Sequence, residues 1–425
     1  MNNEINSRIS SIKEGKVPLG YKKSKVGIIP NDWEEKSLSE LIEELETGVS
    51  VNSYDFKAKT GEKAVLKTSC VSNGKFDPYE NKLIIEKEID RAKLNPKSGE
   101  IIISRMNTPQ LVGEIGYIEK DYPELFLPDR LWQSKLNKGV DGRWLAECLI
   151  TEKIKYQIKD IATGTSNSMK NISKTSFLSL KIPFTIYEEQ KKISDILNLW
   201  NKKIELKEKL LIEKQKQKKG LIERFLTGKV RLNGFNDKVE IKKLKDYISE
   251  IKVKNKDNKE RRILSVTNRQ GFILQEEKFD RIIASNDLSN YKIVKKGQFA
   301  YNPSRVNVGS LDLLTNFDSG LLSPMYVIFE CNDDLDKDYL YQFLKSNLFL
   351  KYIPRLLQGS VRDSLSFEAL QQVRIFIPKV EEQKSIANIL KTSDKEIKLL
   401  SKEIELLKEQ KKGLMQLLLT GIVRV

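Results

Sequence analysis

Two nearly identical segments decide how this chain is organised: "QKKGLIERFLTGKVRL" at Gln217–Leu232 and "QKKGLMQLLLTGIVRV" at Gln410–Val425. They belong to a longer repeat, because Glu188–Leu232 and Glu381–Val425 align without a gap at an offset of 193 residues, with 21 identities in 45 positions. A match of this length indicates a duplicated structural unit rather than a coincidence of composition.

Each copy of the repeat predicts a long helix. Glu188–Leu226 contains no Pro, and its apolar residues recur at steps of three, four and seven positions, as in a coiled-coil stripe. A helix of this length is about 58 Å long, and its apolar stripe needs a partner, for which the other copy is the nearest candidate. Thr227-Gly228 and Thr420-Gly421 predict glycine helix stops. Gly220 and Gly413, inside the pattern, suggest a close approach of the two helices.

The segments that precede the repeats are also related, more distantly. Gly164–Pro183 has the same length as Gly359–Pro378, and Ser98–Asn107 resembles Lys296–Asn307, since both end in Ser-Arg-x-Asn. Short apolar runs bounded by turn residues indicate strands, and longer amphipathic stretches that follow them indicate helices. Each half therefore predicts one α+β domain followed by one long helix.

The start of the chain completes the repeat pattern, because "GKVPLGY" (Gly15–Tyr21) is similar to "GKVRLNGF" (Gly228–Phe235). The N-terminal segment therefore looks like the tail of a third, partial helical repeat, which would place both ends of the chain together in a circular, pseudo-twofold organisation. The predicted boundaries are 1–24 for the partial repeat, 25–186 for the first globular domain, 187–232 for the central helix, 233–379 for the second globular domain and 380–425 for the C-terminal helix.

Composition restricts the function. Lys and Arg number 75 against 59 Asp and Glu, and the resulting net charge of +16 favours a polyanionic partner, although a lysine-rich surface can also serve solubility. The absence of His removes the commonest general base and every Ser–His or Cys–His nucleophile. Three widely spaced cysteines indicate neither a disulfide framework nor a metal site. A polar start and the lack of long apolar runs predict a cytoplasmic protein with no membrane partner.

At this point the chain resembles a known family, the DNA-specificity (S) subunits of type I restriction–modification systems. The resemblance lies in the order of domains and in the helix that begins "EEQ" and ends "LTGKVRL". It extends to three further segments, "PLGYKKSKVGIIPNDWEEKSL" (Pro18–Leu38), "ILSVTNRQGFILQEEKFDR" (263–281) and "KKGQFAYNPSRVNVGSLDLL" (295–314).

The resemblance implies an α+β protein in which two target-recognition domains are separated by two long antiparallel coiled-coil helices. Each recognition domain would read one half of a bipartite double-stranded DNA target in the major groove, and the helices would set the spacing. Two modification subunits would methylate adenine, and restriction subunits would translocate and cleave. The chain itself would have no catalytic residue, no cofactor and no metal, with S-adenosylmethionine, ATP and Mg bound by its partners.

Two other functions remain open. One is a coiled-coil interaction scaffold whose basic charge is incidental. The other is a stand-alone DNA methyltransferase, which would need a glycine-rich cofactor loop and an Asn/Asp-Pro-Pro-aromatic motif. "FDPYE" (Phe76–Glu80) and "YNPSR" (Tyr301–Arg305) come nearest, but both lack the second proline and are interpreted as turns. No phosphate-binding loop signature occurs.

Candidate DNA contacts follow from side-chain chemistry, because Arg pairs with guanine, Asn and Gln with adenine, and Lys, Ser and Thr with phosphate. The first candidates are the two Ser-Arg-x-Asn segments, which the alignment places at corresponding positions: Ser104, Arg105 and Asn107, and Ser304, Arg305 and Asn307. The second are polar loops with Ser166, Asn167, Ser168, Lys170 and Asn171, and with Ser360 and Arg362. The third are Thr267, Asn268 and Arg269. Structural ion pairs or ordinary surface turns are the alternatives.

Lysines on the long helices could also lie along DNA between the half-sites: Lys214, Lys216, Lys218, Lys219, Lys408, Lys411 and Lys412. A solvated helix face or a docking surface for the modification subunits is the alternative that we favour.

Overall fold

The computed structural model describes residues 3–164, 168–237, 240–268, 270–278, 287–357 and 364–425. The chain divides into two compact units. The first unit combines Met1–Leu206 with Ile404–Val425, and the second consists of Lys207–Glu403. Each unit therefore contains one predicted globular domain together with a part of each predicted long helix.

The first unit contains five short helices and fifteen strands in its described part. The helices are α1 (Asn3–Lys13), α2 (Leu38–Leu41), α3 (Gly142–Leu149), α4 (Glu152–Asp160) and α5 (Lys174–Leu178). The strands are β1 (Tyr21–Ser24), β2 (Gly27–Pro30), β3 (Glu34–Ser37), β4 (Ile42–Thr47), β5 (Ala64–Leu66), β6 (Val71–Ser72), β7 (Gly74–Phe76), β8 (Asn81–Leu83), β9 (Ile101–Ser104), β10 (Met106–Asn107), β11 (Ile115–Tyr117), β12 (Leu125–Phe126), β13 (Leu131–Leu136), β14 (Lys170–Asn171) and β15 (Lys181–Phe184).

Two long helices, α6 (Tyr187–Phe225) and α12 (Val380–Leu419), contribute residues to both units. The other helices of the second unit are α7 (Gln275–Lys278), α8 (Lys337–Leu344), α9 (Asn347–Leu350), α10 (Ile353–Leu357) and α11 (Phe367–Gln371). Its strands are β16 (Ile241–Lys243), β17 (Ile248–Ile251), β18 (Leu264–Thr267), β19 (Gly271–Leu274), β20 (Lys292–Lys295), β21 (Phe299–Tyr301), β22 (Leu311–Leu313), β23 (Ser319–Leu322), β24 (Val327–Cys331) and β25 (Arg374–Phe376).

A six-stranded sheet forms the centre of the first unit, in the order β4-β13-β9-β11-β7-β6. Neighbouring strands are antiparallel except for the parallel pair of β11 and β7. One face packs against α3, whose Trp144, like Trp132 of β13, is fully buried in the same apolar core. The described part of the second unit has a four-stranded sheet in the order β17-β24-β21-β22, with Phe299 and Phe329 stacked in its core. The predicted α+β class is confirmed in both units.

The long helices run antiparallel within each unit. In the second unit, ion pairs join Lys207 of α6 to Glu403 of α12 at 2.9 Å and Lys214 to Glu396 at 2.9 Å, so residue numbers rise along one helix as they fall along the other. In the first unit, Ile193 near the start of α6 and Leu418 near the end of α12 lie in the same apolar core, as the antiparallel arrangement requires. The predicted pairing of the two repeats is confirmed.

Glycines in the repeats have two different roles. Gly228 and Gly421, each at φ 70°, end the long helices as predicted. The left-handed conformation suits glycine at a helix end, and a Cβ at Gly228 would lie 2.4 Å from the Phe376 ring. The proposed reason for Gly220 and Gly413 is wrong, because a Cβ at either position would meet nothing within 4 Å. Neither residue marks a close approach of the helices.

The N-terminal helix lies against the C-terminal segment in the first unit. The Arg8 guanidinium donates to the Ile422 carbonyl at 3.2 Å, and the Tyr21 hydroxyl donates to the Gly421 carbonyl at 2.8 Å. The expectation that both ends of the chain lie together is therefore confirmed. Among the described residues, no helix is both long enough and apolar enough to span a lipid bilayer.

Candidate nucleic-acid interface

The "EEQ" that begins each long helix fixes the globular domain to the helix pair. In the first unit, the second glutamate, Glu189, accepts hydrogen bonds from Arg424 at 2.6 and 3.0 Å and from the Trp33 indole at 3.0 Å. Asp32 binds the same guanidinium at 2.7 and 2.9 Å. The Arg424 hydrogen bond holds the pKa of Asp32 below its usual range. Burial opposes a charged Glu189, but hydrogen bonds from Arg424, Thr185 and Trp33 outweigh it and lower the pKa of that carboxyl.

The second unit repeats this clamp. Glu382, the counterpart of Glu189, is completely buried and accepts from Arg231 at 2.9 and 2.6 Å. The Leu232 amide donates to the same carboxylate at 3.2 Å. The hydrogen bond to Glu382 raises the pKa of Arg231. In each unit, therefore, the arginine near the end of one repeat binds the glutamate at the start of the other.

The glutamine of each "EEQ" holds the start of a domain helix. Gln190 accepts from the Asp141 amide at 2.9 Å and donates to the Thr185 carbonyl at 2.6 Å. Gln383 makes the equivalent bonds to the Asp336 amide at 2.8 Å and to the Pro378 carbonyl at 2.8 Å. Asp141 and Asp336 cap α3 and α8. Sequence reasoning found the motif but not these contacts, which explain why the same three letters recur.

In the first unit, the Ser-Arg-x-Asn segment is largely internal. Ser104 is completely buried, and its hydroxyl accepts a hydrogen bond from the Asn107 amide group at 3.1 Å. The Arg105 Nε donates to the Asp129 carbonyl at 2.8 Å, and its guanidinium lies 5.8 Å from the Trp132 ring centre. In this structure these side chains therefore hold the end of β9 in place. Their contact with DNA stays a prediction.

The structure brings the second candidate loop of the first unit beside this segment. Lys170 and Asn171 form β14, which pairs with β10, so that Met106 faces Asn171 and Asn107 faces Lys170. The Lys170 ammonium donates to the Gly164 carbonyl at 2.8 Å. Ser168 is exposed, whereas Ser166 and Asn167 lie outside the described residues. Two separately predicted segments thus form one surface.

In the second unit, the Ser-Arg-x-Asn segment has a different environment. It forms a 3₁₀ helix over Pro303–Val308 that Asn302 caps through the Ser304 amide at 3.1 Å and that Gly309 ends at φ 89°. Ser304, Arg305 and Asn307 are all exposed. Arg305 has no ion pair among the residues that the structure describes, so its guanidinium faces solvent.

The third candidate lies next to this 3₁₀ helix. Asn268, in the turn between β18 and β19, is so close to Gly309 that a Cβ at the glycine would lie 2.2 Å from the Asn268 side-chain oxygen. Thr267 donates to the Gly271 carbonyl at 3.2 Å, which closes the same turn. The remaining candidates, Arg269, Ser360 and Arg362, lie outside the described residues.

The alignment of the two Ser-Arg-x-Asn segments is wrong by two residues. Backbone pairing decides this, because the Ile172 amide donates to the Arg105 carbonyl at 2.9 Å and the Leu365 amide donates to the Pro303 carbonyl at 3.0 Å. Arg105 therefore corresponds to Pro303, and Arg305 has no counterpart in the first unit. In the second unit the same four letters lie inside the 3₁₀ helix, two residues further along the chain from this backbone pairing than in the first unit.

Two exposed residues beside these segments were missed by sequence reasoning. Arg130 precedes β13 and its carbonyl accepts from the Arg105 amide at 3.1 Å. Met325 precedes β24 in the second unit, is 61% exposed, and its sulfur lies 3.5 Å from the Asn302 amide nitrogen. Both lie just before the strand that pairs with β9 or β21. Their position just before a strand, rather than their residue type, is the sequence signal from which they could have been identified.

The helix lysines are mostly engaged within the protein. Lys214 and Lys218 pair with Glu396 and Asp394 of the partner helix, Lys216 pairs with Glu213 on its own helix, and Lys411 and Lys412 pair with Glu147 and Glu152 of the first domain. These pairs hold the helices and domains together. In the part of the chain that the structure describes, no cluster of Cys, Asp or Glu side chains is arranged to hold a metal ion.

Comparison with known proteins agrees with this architecture. The family model described as "Type I restriction modification DNA specificity domain" matches residues 30–214 and 236–409. The MjaX specificity subunit of Methanocaldococcus jannaschii is 27% identical over 422 residues, covering 95% of this chain and 97% of its own length. The MjaVIII type I restriction enzyme specificity subunit of the same organism is 26% identical, covering 93% and 94%. The crystal structure of the type I S subunit of M. genitalium superposes with a TM-score of 0.58 at 14% identity, covering 91% and 96%.

Proposed function

The chain belongs to the type I restriction–modification DNA specificity family, and from this premise we propose that it reads a bipartite DNA target, one half-site with each recognition domain. It acts as the specificity subunit of a multisubunit complex. The recognition domains are the globular parts of the two units, and the long helices α6 and α12 set the distance between the half-sites. Two recognition elements on a stiff spacer suit half-sites about one helical turn apart.

The observation that carries the proposal is the repetition itself. The two family-model matches, 30–214 and 236–409, each cover one globular domain. Both domains are fixed by the same Arg–Glu clamp and the same glutamine contact. A protein that reads a single continuous target would not need two domains that are attached in the same way but present different surfaces.

Base reading is assigned to the exposed polar residues beside β9 and β21. In the second unit these are Arg305 and Asn307 with the nearby Asn268, and in the first unit Arg130 together with the half-buried Lys170. Arginine can bind guanine with two hydrogen bonds in the major groove, and asparagine can do the same with adenine. Lysine neutralises phosphate and fixes the domain on the duplex.

Catalysis is assigned to partner subunits. Exposed leucine and isoleucine side chains on the long helices provide an apolar docking surface: Leu199, Leu206 and Leu406 in the first unit, and Leu210, Ile212 and Leu399 in the second. Apolar patches on an otherwise charged helix indicate protein–protein contact. Modification subunits that methylate adenine would dock here, restriction subunits would join the assembled complex, and S-adenosylmethionine, ATP and Mg would be bound by these partners.

The test is assembly of the full chain with its modification subunit, followed by genome-wide mapping of methylated adenines. An interrupted motif with two defined halves is expected, and cells that express the modification subunit alone provide the control. A continuous motif would contradict the assignment of one half-site to each domain. Binding of the assembled complex to its target should also weaken steeply with added salt, because phosphate contacts release counterions. Salt-independent binding would favour the scaffold.

The spacing function has its own test, which the helix register makes specific. Seven residues inserted after Leu211 of α6 and seven after Leu399 of α12, which faces it in the antiparallel register, add about 10 Å to both helices. The gap in the methylated motif should lengthen by about three base pairs. Insertion into α6 alone is the control, since it breaks the register of the ion pairs. An unchanged gap in the double insertion would refute the spacer.

A further inference from the structure

Beyond the shared clamp, each domain touches the helix pair at a second site, and the two sites differ in charge. In the first unit, Glu147 of α3 is 6% exposed and lies between both long helices. Its carboxylate accepts from the Asn201 amide of α6 at 2.9 Å and from the Lys411 ammonium of α12 at 3.1 and 3.2 Å. We name these three residues the first matching site.

The second unit has the same site with its charges rearranged. Gln342 of α8, which is 4% exposed, donates to the Asp394 carboxylate of α12 at 3.0 Å, and Lys218 of α6 pairs with the other oxygen of that carboxylate. Gln342, Asp394 and Lys218 form the second matching site. Each site thus contains one ammonium, one carboxylate and one amide.

The residues correspond one to one. Asp394 is the repeat counterpart of Asn201, and Lys411 is the counterpart of Lys218, both at the offset of 193 residues. Glu147 and Gln342 each lie six residues after the aspartate that caps their helix. The carboxylate is therefore on the domain in the first unit and on the long helix in the second, while the lysine keeps its place.

We propose that the two matching sites assign each recognition domain to its own end of the helix pair. The glutamate, glutamine and arginine of the clamp and the glutamine contact are identical in the two repeats, so a domain meets the same groups at either end and these contacts cannot distinguish the ends. The matching sites differ between the two ends and can therefore distinguish them. This inference concerns domain order and folding, so it stands or fails independently of which bases the domains read.

The mismatched combinations are unfavourable for opposite reasons. The first domain placed on the second helix end would bring Glu147 against Asp394, so that two carboxylates would share the one ammonium of Lys218. The second domain on the first helix end would bring Gln342 against Asn201 and Lys411, which leaves a lysine without a carboxylate. Like charges in contact and an uncompensated buried charge are both strongly destabilising.

The first test is a pair of substitution cycles in the full chain, followed by thermal unfolding. Glu147→Gln and Gln342→Glu should each lower the Tm of their unit by about 5 °C. Adding Asn201→Asp to the first and Asp394→Asn to the second should restore most of each loss, because each site then has the composition of the other. Losses that simply add in the double variants would overturn the proposal.

The second test exchanges residues 25–186 with residues 233–379, so that each domain arrives at the other helix end. Glu147→Gln together with Gln342→Glu should raise the Tm of this exchanged chain, although the same two substitutions lower it in the parent order. Glu152→Gln is the matched control, since its ion pair with Lys412 is exposed on both sides and such pairs contribute little. If the two substitutions changed the Tm in the same direction in both domain orders, the cause would be a general packing effect and the proposal would be wrong. Should the exchanged chain fail to fold, the substitution cycles still decide.

Discussion

The two halves of the molecule differ least where the chain is helical and most where it faces solvent beside β9 and β21. The long helices share their length, their glycine ends and the clamps Arg424–Glu189 and Arg231–Glu382. The recognition surfaces share only the strands that frame them. The means of attachment is therefore repeated, whereas the surface that it presents is replaced.

The replaced surfaces have different chemistry at matched places. Where the first unit has a buried Ser104 and an anchored Arg105, the second has Asn302 and Pro303 followed by an exposed 3₁₀ helix. Before the neighbouring strand, the first unit exposes Arg130 and the second exposes Met325. A guanidinium prefers guanine, whereas an apolar side chain suits the thymine methyl group. We therefore expect the two half-sites to be unlike in sequence.

The largest expected difference between the units lies in the clamps. Arg231→Ala should lower the free energy of unfolding of the second unit by about 3 to 5 kcal/mol, because it leaves the fully buried Glu382 with the Leu232 amide as its remaining donor. Arg424→Ala should cost about 2 kcal/mol, since Glu189 keeps the Thr185 hydroxyl and the Trp33 indole as donors. Chemical denaturation of each variant measures both values.

Lysine at the same positions is the control for charge without the forked guanidinium. Arg231→Lys should recover part of the loss but not all of it, because Arg231 holds both oxygens of Glu382. Equal losses for the two alanine variants would mean that the additional donors around Glu189 contribute nothing, and the two clamps would then be equivalent.

A second comparison concerns the two arginines of the Ser-Arg-x-Asn segments. Arg305→Ala should leave the Tm unchanged but relax base preference in one half of the methylated motif by about 2 kcal/mol, roughly thirtyfold. Arg105→Ala should instead destabilise the first unit by about 1 kcal/mol, because its Nε bond to the Asp129 carbonyl and its contact with Trp132 are lost.

Arg305→Lys separates the two possible roles of the exposed arginine. It keeps the charge but removes the paired hydrogen bonds, so affinity should persist while base preference relaxes. If Arg305→Ala weakened binding to all sequences alike, the residue would be a phosphate contact and the base-reading assignment would be lost.

Much of the fold could be predicted from periodicity alone, since the predicted helix over Glu188–Leu226 lies at Tyr187–Phe225. Helix length, glycine ends and the α+β class are local or repeated signals. The recognition surface has no such local or repeated signal. Its alignment failed at Arg305 because similar letters do not reveal that one copy continues the end of a strand while the other lies in a 3₁₀ helix. The matching sites were also hidden, because Glu147 and Lys411 are distant in sequence and meet only through the antiparallel register.

A pH-dependent difference arises at the start of β9. Burial raises the pKa of Glu100 to about 7, against the opposing charges of Lys97 and Lys135, and Glu46 adds to the effect. Gln298 occupies the corresponding place in the second unit, since the Ile118 and Leu314 amides donate to the Glu100 and Gln298 carbonyls. Glu100→Gln therefore makes the first unit resemble the second.

The sign of the effect follows from the raised pKa. Below pH 4.5, Glu100 is protonated in both the folded and the unfolded chain, so Glu100→Gln should have no effect there. As pH rises to about 7, the unfolded chain ionises first and the parent loses stability. Above pH 7 the variant should be more stable by about 1 kcal/mol, after allowance for the partial exposure of Glu100. Denaturant midpoints at pH 4 and pH 8 measure this, and an equal gain at both would exclude ionisation as the cause.

The smallest expected effect tests whether the two helical repeats are equivalent. Gly220→Ala and Gly413→Ala should each raise the free energy of unfolding by about 0.5 to 1 kcal/mol, because glycine in a helix interior costs that much relative to alanine and a Cβ at either position meets nothing within 4 Å. Gly228→Ala is the opposite control, since φ 70° and the nearby Phe376 ring make alanine unfavourable there. Denaturant unfolding of the three variants gives the values. Unequal gains in the free energy of unfolding at Gly220 and Gly413 would mean that one of the two helices has a neighbour that the other lacks. The two helical repeats would then not be equivalent at this position.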